Sequence, residues 1–136
     1  MRVEFWINAK AEVLIMIESE IEQLTHLRVM MNSSRFDEAL SLVDRLLQNN
    51  YLSPFLHALK ARLIMLSSEE CLYTLEDAGD CLLKALEINA NDLEVIEELA
   101  HYYDVVVPDS QLATQYASLL LDKIRNMSND MAEIIK

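Results

Sequence analysis

Glycine occurs once and proline twice among the 136 residues of this chain. Tight turns draw on glycine for positive φ and on proline for a preset φ, so a sheet protein built on many hairpins is excluded. A glycine-rich phosphate cradle is excluded too, because one glycine forms neither GxGxxG nor GxxxxGK followed by Ser or Thr. Hydrophobic residues still make up 52% of the chain, enough at this length for one compact core. The expectation is therefore a single all-helical domain spanning residues 1–136.

Eleven basic residues against twenty-three acidic ones give a formal charge of −12, the wrong sign for a surface that must neutralise phosphates. Nucleic acid is not an expected partner. The charge is also uneven. Residues 1–68 carry eight acids and seven bases, whereas residues 69–136 carry fifteen acids and four bases; within 69–109, twelve acids face Lys84 alone. Such a surface either keeps a small protein soluble or attracts a basic protein by long-range steering. Cys71 and Cys81 sit in no CxxC pair and near no histidine at zinc-ligand spacing, so free thiols in a reducing cytoplasm are expected. No apolar run approaches the roughly 18 residues of a membrane span or has the plan of a signal peptide.

Apolar residues recur at helical spacing almost throughout, so boundaries must be read from caps and polar clusters. Val3 to Met31 places Leu14, Ile17, Ile21, Leu24, Leu27 and Met31 on one stripe, read as core, with Glu18, Glu20 and Glu22 turned away. This segment is one long helix or two, or residues 1–7 form an extended arm. Further helices are expected from Phe36 to Gln48, from Pro54 behind a Ser53 cap to Leu66, and from Asp77 to Ile88. Gly79 inside the last of these would let a neighbouring helix approach closely. Asn91 with Glu94 reads as a cap and its capping-box acid opening a helix to about Val106, and Asp109 or Ser110 caps another through Arg125. Asn126 to Asp130 reads as a separator before a short C-terminal helix, within 126–136. The total is five to seven helices.

These helices form self-similar pairs. Ala39, Ala78 and Ala113 each open the second helix of a pair, and Leu56, Leu59 and Leu63 fall 40 residues before Ile96, Leu99 and Tyr103. A helix-turn-helix period of 34 to 40 residues marks a stacked array in which small residues let paired helices cross closely. In Phe36-Asp37-Glu38-Ala39-Leu40 with Leu46-Leu47, in Ala78 with Leu82 and Ala85-Leu86-Glu87-Ile88-Asn89, and in Leu99-Ala100 with Tyr103, the chain resembles the tetratricopeptide repeat family. Ala113 with Tyr116 and Leu120 is a third match. The likeness covers about residues 20–125. It departs from the family at Ala90, where a proline usually ends the second helix, and at Lys60, where a small residue is usual.

The resemblance implies a short superhelix of stacked antiparallel hairpins whose first helices line a groove for a peptide or protein surface. By family register, the groove residues of the best unit are Glu94, Glu97, His101 and Asp104. Their spacing of three, four and three independently puts them on one helical face, with Glu98 beside them. The same register gives His57, Ala61 and Ile64 in the preceding unit. The expected function is a non-catalytic interaction module docking a basic protein segment, such as an adaptor, a chaperone or an immunity-type inhibitor, with no cofactor. The alternatives are a metal-binding bundle or enzyme centred on the Glu98-x-x-His101 spacing, which lacks the second copy that a carboxylate-bridged metal pair needs, or a structural, self-associating subunit of a larger assembly. The methionines, Met16, Met30, Met31 and Met65 among them, read as core filler. Phe5 and Trp6 read as covering an open end of the stack or as an exposed anchor for a partner or a second copy, and homodimerisation through such an end is a further option.

Overall fold

The computed structural model describes residues 2–68 and 71–135, apart from the side chains of Arg2, Phe5, Trp6, Met16 and Ile17. The chain is all-helical over these residues. Its elements are α1 (Arg2–Asn32), α2 (Phe36–Asn49), α3 (Pro54–Leu66), α4 (Leu75–Ile88), α5 (Leu93–His101), a π-helical turn (Tyr102–Val106) and α6 (Ser110–Ile135). They pack in sequential order, each against the next, as three hairpins: α1/α2, α3/α4 and α5/α6.

Caps set these boundaries. Ser53 Oγ accepts from the Leu56 amide at 3.3 Å, with Pro54 in the first turn where no amide hydrogen is needed. Thr74 and Asp77 form a reciprocal capping box at the start of α4. At α5 the cap is Asp92, whose Oδ1 accepts from the Val95 amide at 3.3 Å, one residue beyond the expected Asn91. Asp109 Oδ1 accepts from the Leu112 amide at 3.1 Å at the start of α6. The second helices share one detail: the amides of Ala39, Ala78 and Ala113 donate to the carbonyls of Arg35, Thr74 and Asp109, each four residues earlier. Ala39 and Ala78 are fully buried, which is what close crossing of paired helices requires.

The core lies in the middle of the stack. Seven of the thirteen residues of α3 are buried, including Leu59, Leu63 and Ile64, against Ala39, Val43 and Leu46 of α2 and Ala78, Leu82 and Ala85 of α4. Gly79 faces Tyr102 so closely that a Cβ there would lie 2.6 Å from the ring, and the Tyr102 hydroxyl donates to the Leu75 carbonyl at 2.9 Å. The close approach expected at this glycine is thus made by the π-helical turn.

The outer helices differ from expectation. α1 is one helix, but only its last turns reach the core: Leu27 and Met30 are buried and Met31 packs against them, whereas Leu14, Ile21 and Leu24 are exposed. Among the described residues no second layer stands where that stripe would bury. α6 continues through Asn126 to Asp130, because this polar stretch contains no glycine or proline to break it. Met30, Met31 and Met65 fill core space as expected, and the side chains of Phe5, Trp6 and Met16 lie outside the described residues.

Candidate functional site

Glu94, Glu97 and His101 are exposed along α5, and Asp104 is exposed in the π-helical turn that prolongs it. The opposite stripe, Val95, Ile96, Leu99 and Tyr102, is buried, so α5 splits cleanly into a core face and an outer face. The wider turn from Tyr102 to Val106 offsets Asp104 from a strict α-helical line with the other three. It ends where the Val107 amide bonds the Tyr102 carbonyl at 2.9 Å and Pro108 supplies no donor. Tyr103 of this turn stacks on Tyr116 of α6 at 5.8 Å, which fixes the acidic face relative to the last hairpin.

Glu98 is not simply one more surface acid. Its Oε1 accepts from Arg62 of α3, and the same guanidinium reaches Glu94 Oε1 at 2.9 Å. One arginine therefore clasps two consecutive turns of α5 across the gap between the first helices of neighbouring hairpins. Burial disfavours the Arg62 charge, but its bonds to Glu98 and Glu94 outweigh this and hold its pKa above the usual range. For Glu98 the balance falls the other way: desolvation outweighs the arginine and raises its pKa. Its second oxygen, Oε2, is buried with no hydrogen-bond partner in the protein.

His57, Ala61 and Ile64, expected in the same groove, are buried. His57 Nε2 donates to the Tyr51 carbonyl at 2.6 Å, and its ring meets Tyr51 edge-on at 5.2 Å, a core histidine satisfied by a loop. The physical reason is register. The caps Ser53 and Asp92 stand 39 residues apart, not 40, so His57 corresponds to buried Ile96. In the 39-residue register Arg62 corresponds to His101 on the outer stripe. That arithmetic, applied to the caps, was the signal that would have found Arg62.

On the far side of α3 lies an open cleft of about 680 Å³ between α2 and α4. Asp44 organises it. Lys60 Nζ binds Asp44 Oδ1 at 2.8 Å, the Tyr73 hydroxyl donates to Asp44 Oδ2 at 2.6 Å, and the ammonium stands 4.1 Å over the Tyr73 ring. Cys81 lines the same cleft with its thiol pushed up to about 11, chiefly by burial, so it is a poor nucleophile at neutral pH. Both cysteines are free, and no group of three or more His, Cys, Asp or Glu could hold a metal ion among the described residues. No helix among them is long and apolar enough to cross a membrane.

No protein-family profile matches the chain, and no curated protein matches it. A solved structure does. MamA from residue 41 to its end, from Desulfovibrio magneticus RS-1, is similar with a TM-score of 0.66 and 12% sequence identity, over 76% of this chain and 55% of that one. The fold is tetratricopeptide-like. At this identity the likeness concerns architecture alone, and the chain spans little more than half of the MamA fragment.

Proposed function

We propose that this chain is a non-catalytic protein-interaction module that docks a basic segment of another protein on the outer face of α5. The tetratricopeptide-like fold supports a protein partner in general, because stacked hairpins present the faces of their first helices side by side. The observation that carries the reading is the run of Glu94, Glu97 and His101 into Asp104, exposed together, with half-buried Glu98 at its edge. A lysine or arginine placed there gains charge-assisted hydrogen bonds, and the surplus of acids across residues 69–109 steers it in. Arg62 limits the field at Glu94 and Glu98, so Glu97 and Asp104 are the contacts most open to an incoming cation. The free thiols of Cys71 and Cys81 fit a reducing cytoplasm as the place of action.

Affinity capture from native extract, paired with calorimetry on a lysine-rich peptide, tests the reading. Reversing Glu94 and Glu97 to Lys is expected to abolish capture of the partner, and affinity for the peptide is expected to fall steeply with added salt. A dissociation constant that stays level from low to high salt would sink the electrostatic mechanism. Stoichiometric iron, manganese or zinc in purified protein would favour the metal-centred alternative at Glu98 and His101.

A further inference from the structure

The two outermost helices each expose a series of aliphatic side chains that no described residue buries. From Val3 to Ile15 of α1 every described side chain except Ala9 is exposed, including the consecutive Val13, Leu14 and Ile15. Three adjacent exposed aliphatics on a soluble helix call for a functional reason. Within this surface Val3, Ile7, Leu14, Ile21 and Leu24 keep a seven-residue frame, the spacing of a helix-pairing seam, with Lys10 as the one charged side chain in that frame. In α6, which buries no residue, exposed Ile124, Met127, Met131 and Ile134 follow at intervals of three, four and three, in line with half-buried Leu120.

We propose that these two seams pair between copies of the chain, α1 of one copy lying antiparallel against α6 of the next. Two independent observations choose this occupant. The first is area. The exposed seam side chains, five in α1 and four in α6, at about 60 Å² apiece present about 240–300 Å² of apolar surface on each helix, the apolar centre of a small interface.

The second is charge. Glu18 and Glu20 flank the α1 seam and Lys123 flanks the α6 seam. Laid antiparallel with Leu14 opposite Met127, the helices bring Glu20 beside Lys123 and set Lys10 near Asp130 and Glu133. Lys123 donates to Asn91 at 2.9 Å, and among the described residues Lys10, Glu18, Glu20 and Arg125 form no ion pair. Pairing α1 with itself is disfavoured by the same charges: a parallel pair stacks Lys10 on Lys10, and an antiparallel pair centred on the outer half brings Glu4 against Glu18. Because the two surfaces differ, the contact is head-to-tail and propagates until a ring closes or the chain of copies ends. The acidic face of α5 takes no part and stays open.

Sedimentation velocity of the full chain, from about 1 to 100 µM, should give assemblies that grow with concentration. The pair of changes Ile7→Glu and Leu14→Glu should leave a helical monomer by circular dichroism, as should Met127→Glu with Met131→Glu. Mixing these two variants should restore a 1:1 dimer that grows no further, since each retains one intact seam. Glu20→Lys alone should weaken association about tenfold, and adding Lys123→Glu should restore it. A wild-type chain that is monomeric throughout the range overturns the proposal. So does an α6 variant that associates as well as wild type, which would point to α1 pairing with itself.

Discussion

Ser34 is the one non-glycine residue with positive φ, at 59°, among those described. It closes α1: the Arg35 amide reaches back to the Met30 carbonyl at 2.9 Å, the wide-ring bond of a helix end that usually employs glycine. An L-residue held there is strained by about 1 kcal/mol. Ser34→Gly should therefore stabilise the protein by about 0.5–1 kcal/mol, read as a higher urea midpoint at unchanged slope. Gly79 is the opposite case. A methyl group there meets the buried Tyr102 ring, whose hydroxyl is tied to the Leu75 carbonyl and gives way only by losing that bond. Overpacking of this kind costs about 1–3 kcal/mol against a gain of up to about 1 kcal/mol in helix propensity. Gly79→Ala should accordingly lower the thermal midpoint by a few degrees, although alanine is the better helix former.

At the scale of the helix, caps are what made the fold readable. Ser53 with Pro54 marks the start of α3 in the sequence, and the alanines at 39, 78 and 113 expose the pairing because only small residues fit a close crossing. The acidic face of α5 was legible for the same reason, its core stripe being unambiguous. What was not legible depended on partners distant in sequence. Apolar periodicity says that a stripe exists, not that another layer stands opposite it, so Leu14 and Ile21 looked like core. Arg62 and Glu98 meet across 36 residues, and a one-residue error in the repeat hides the pairing. The α2–α3 contact carries its own test. Burial opposes the ammonium of Lys60, but Asp44 and Tyr73 hold its pKa above the ordinary 10.5. A folded-state value raised in this way contributes stability that is fully present below 10.5 and is lost as pH rises through the folded value. From about pH 10 upward the wild type should lose more stability, by chemical denaturation, than Lys60→Met, which has no such charge to lose.

Taken whole, the molecule is graded from centre to ends. α3 contributes seven buried residues and α6 none, and in an array each hairpin leans only on its neighbours. Amide exchange in dilute solution should be slowest in α3 and α4 and fastest in the first half of α1 and the last half of α6, with a spread of at least a hundredfold in protection. Uniform protection along the chain would contradict this gradient. The grading also bears on how the chain is lost. The projecting parts of α1 and α6 are the natural points of attack for a protease, which would whittle both tips back towards the packed middle of the stack, leaving the face of α5 on a trimmed stub with nothing left to join it to a neighbour.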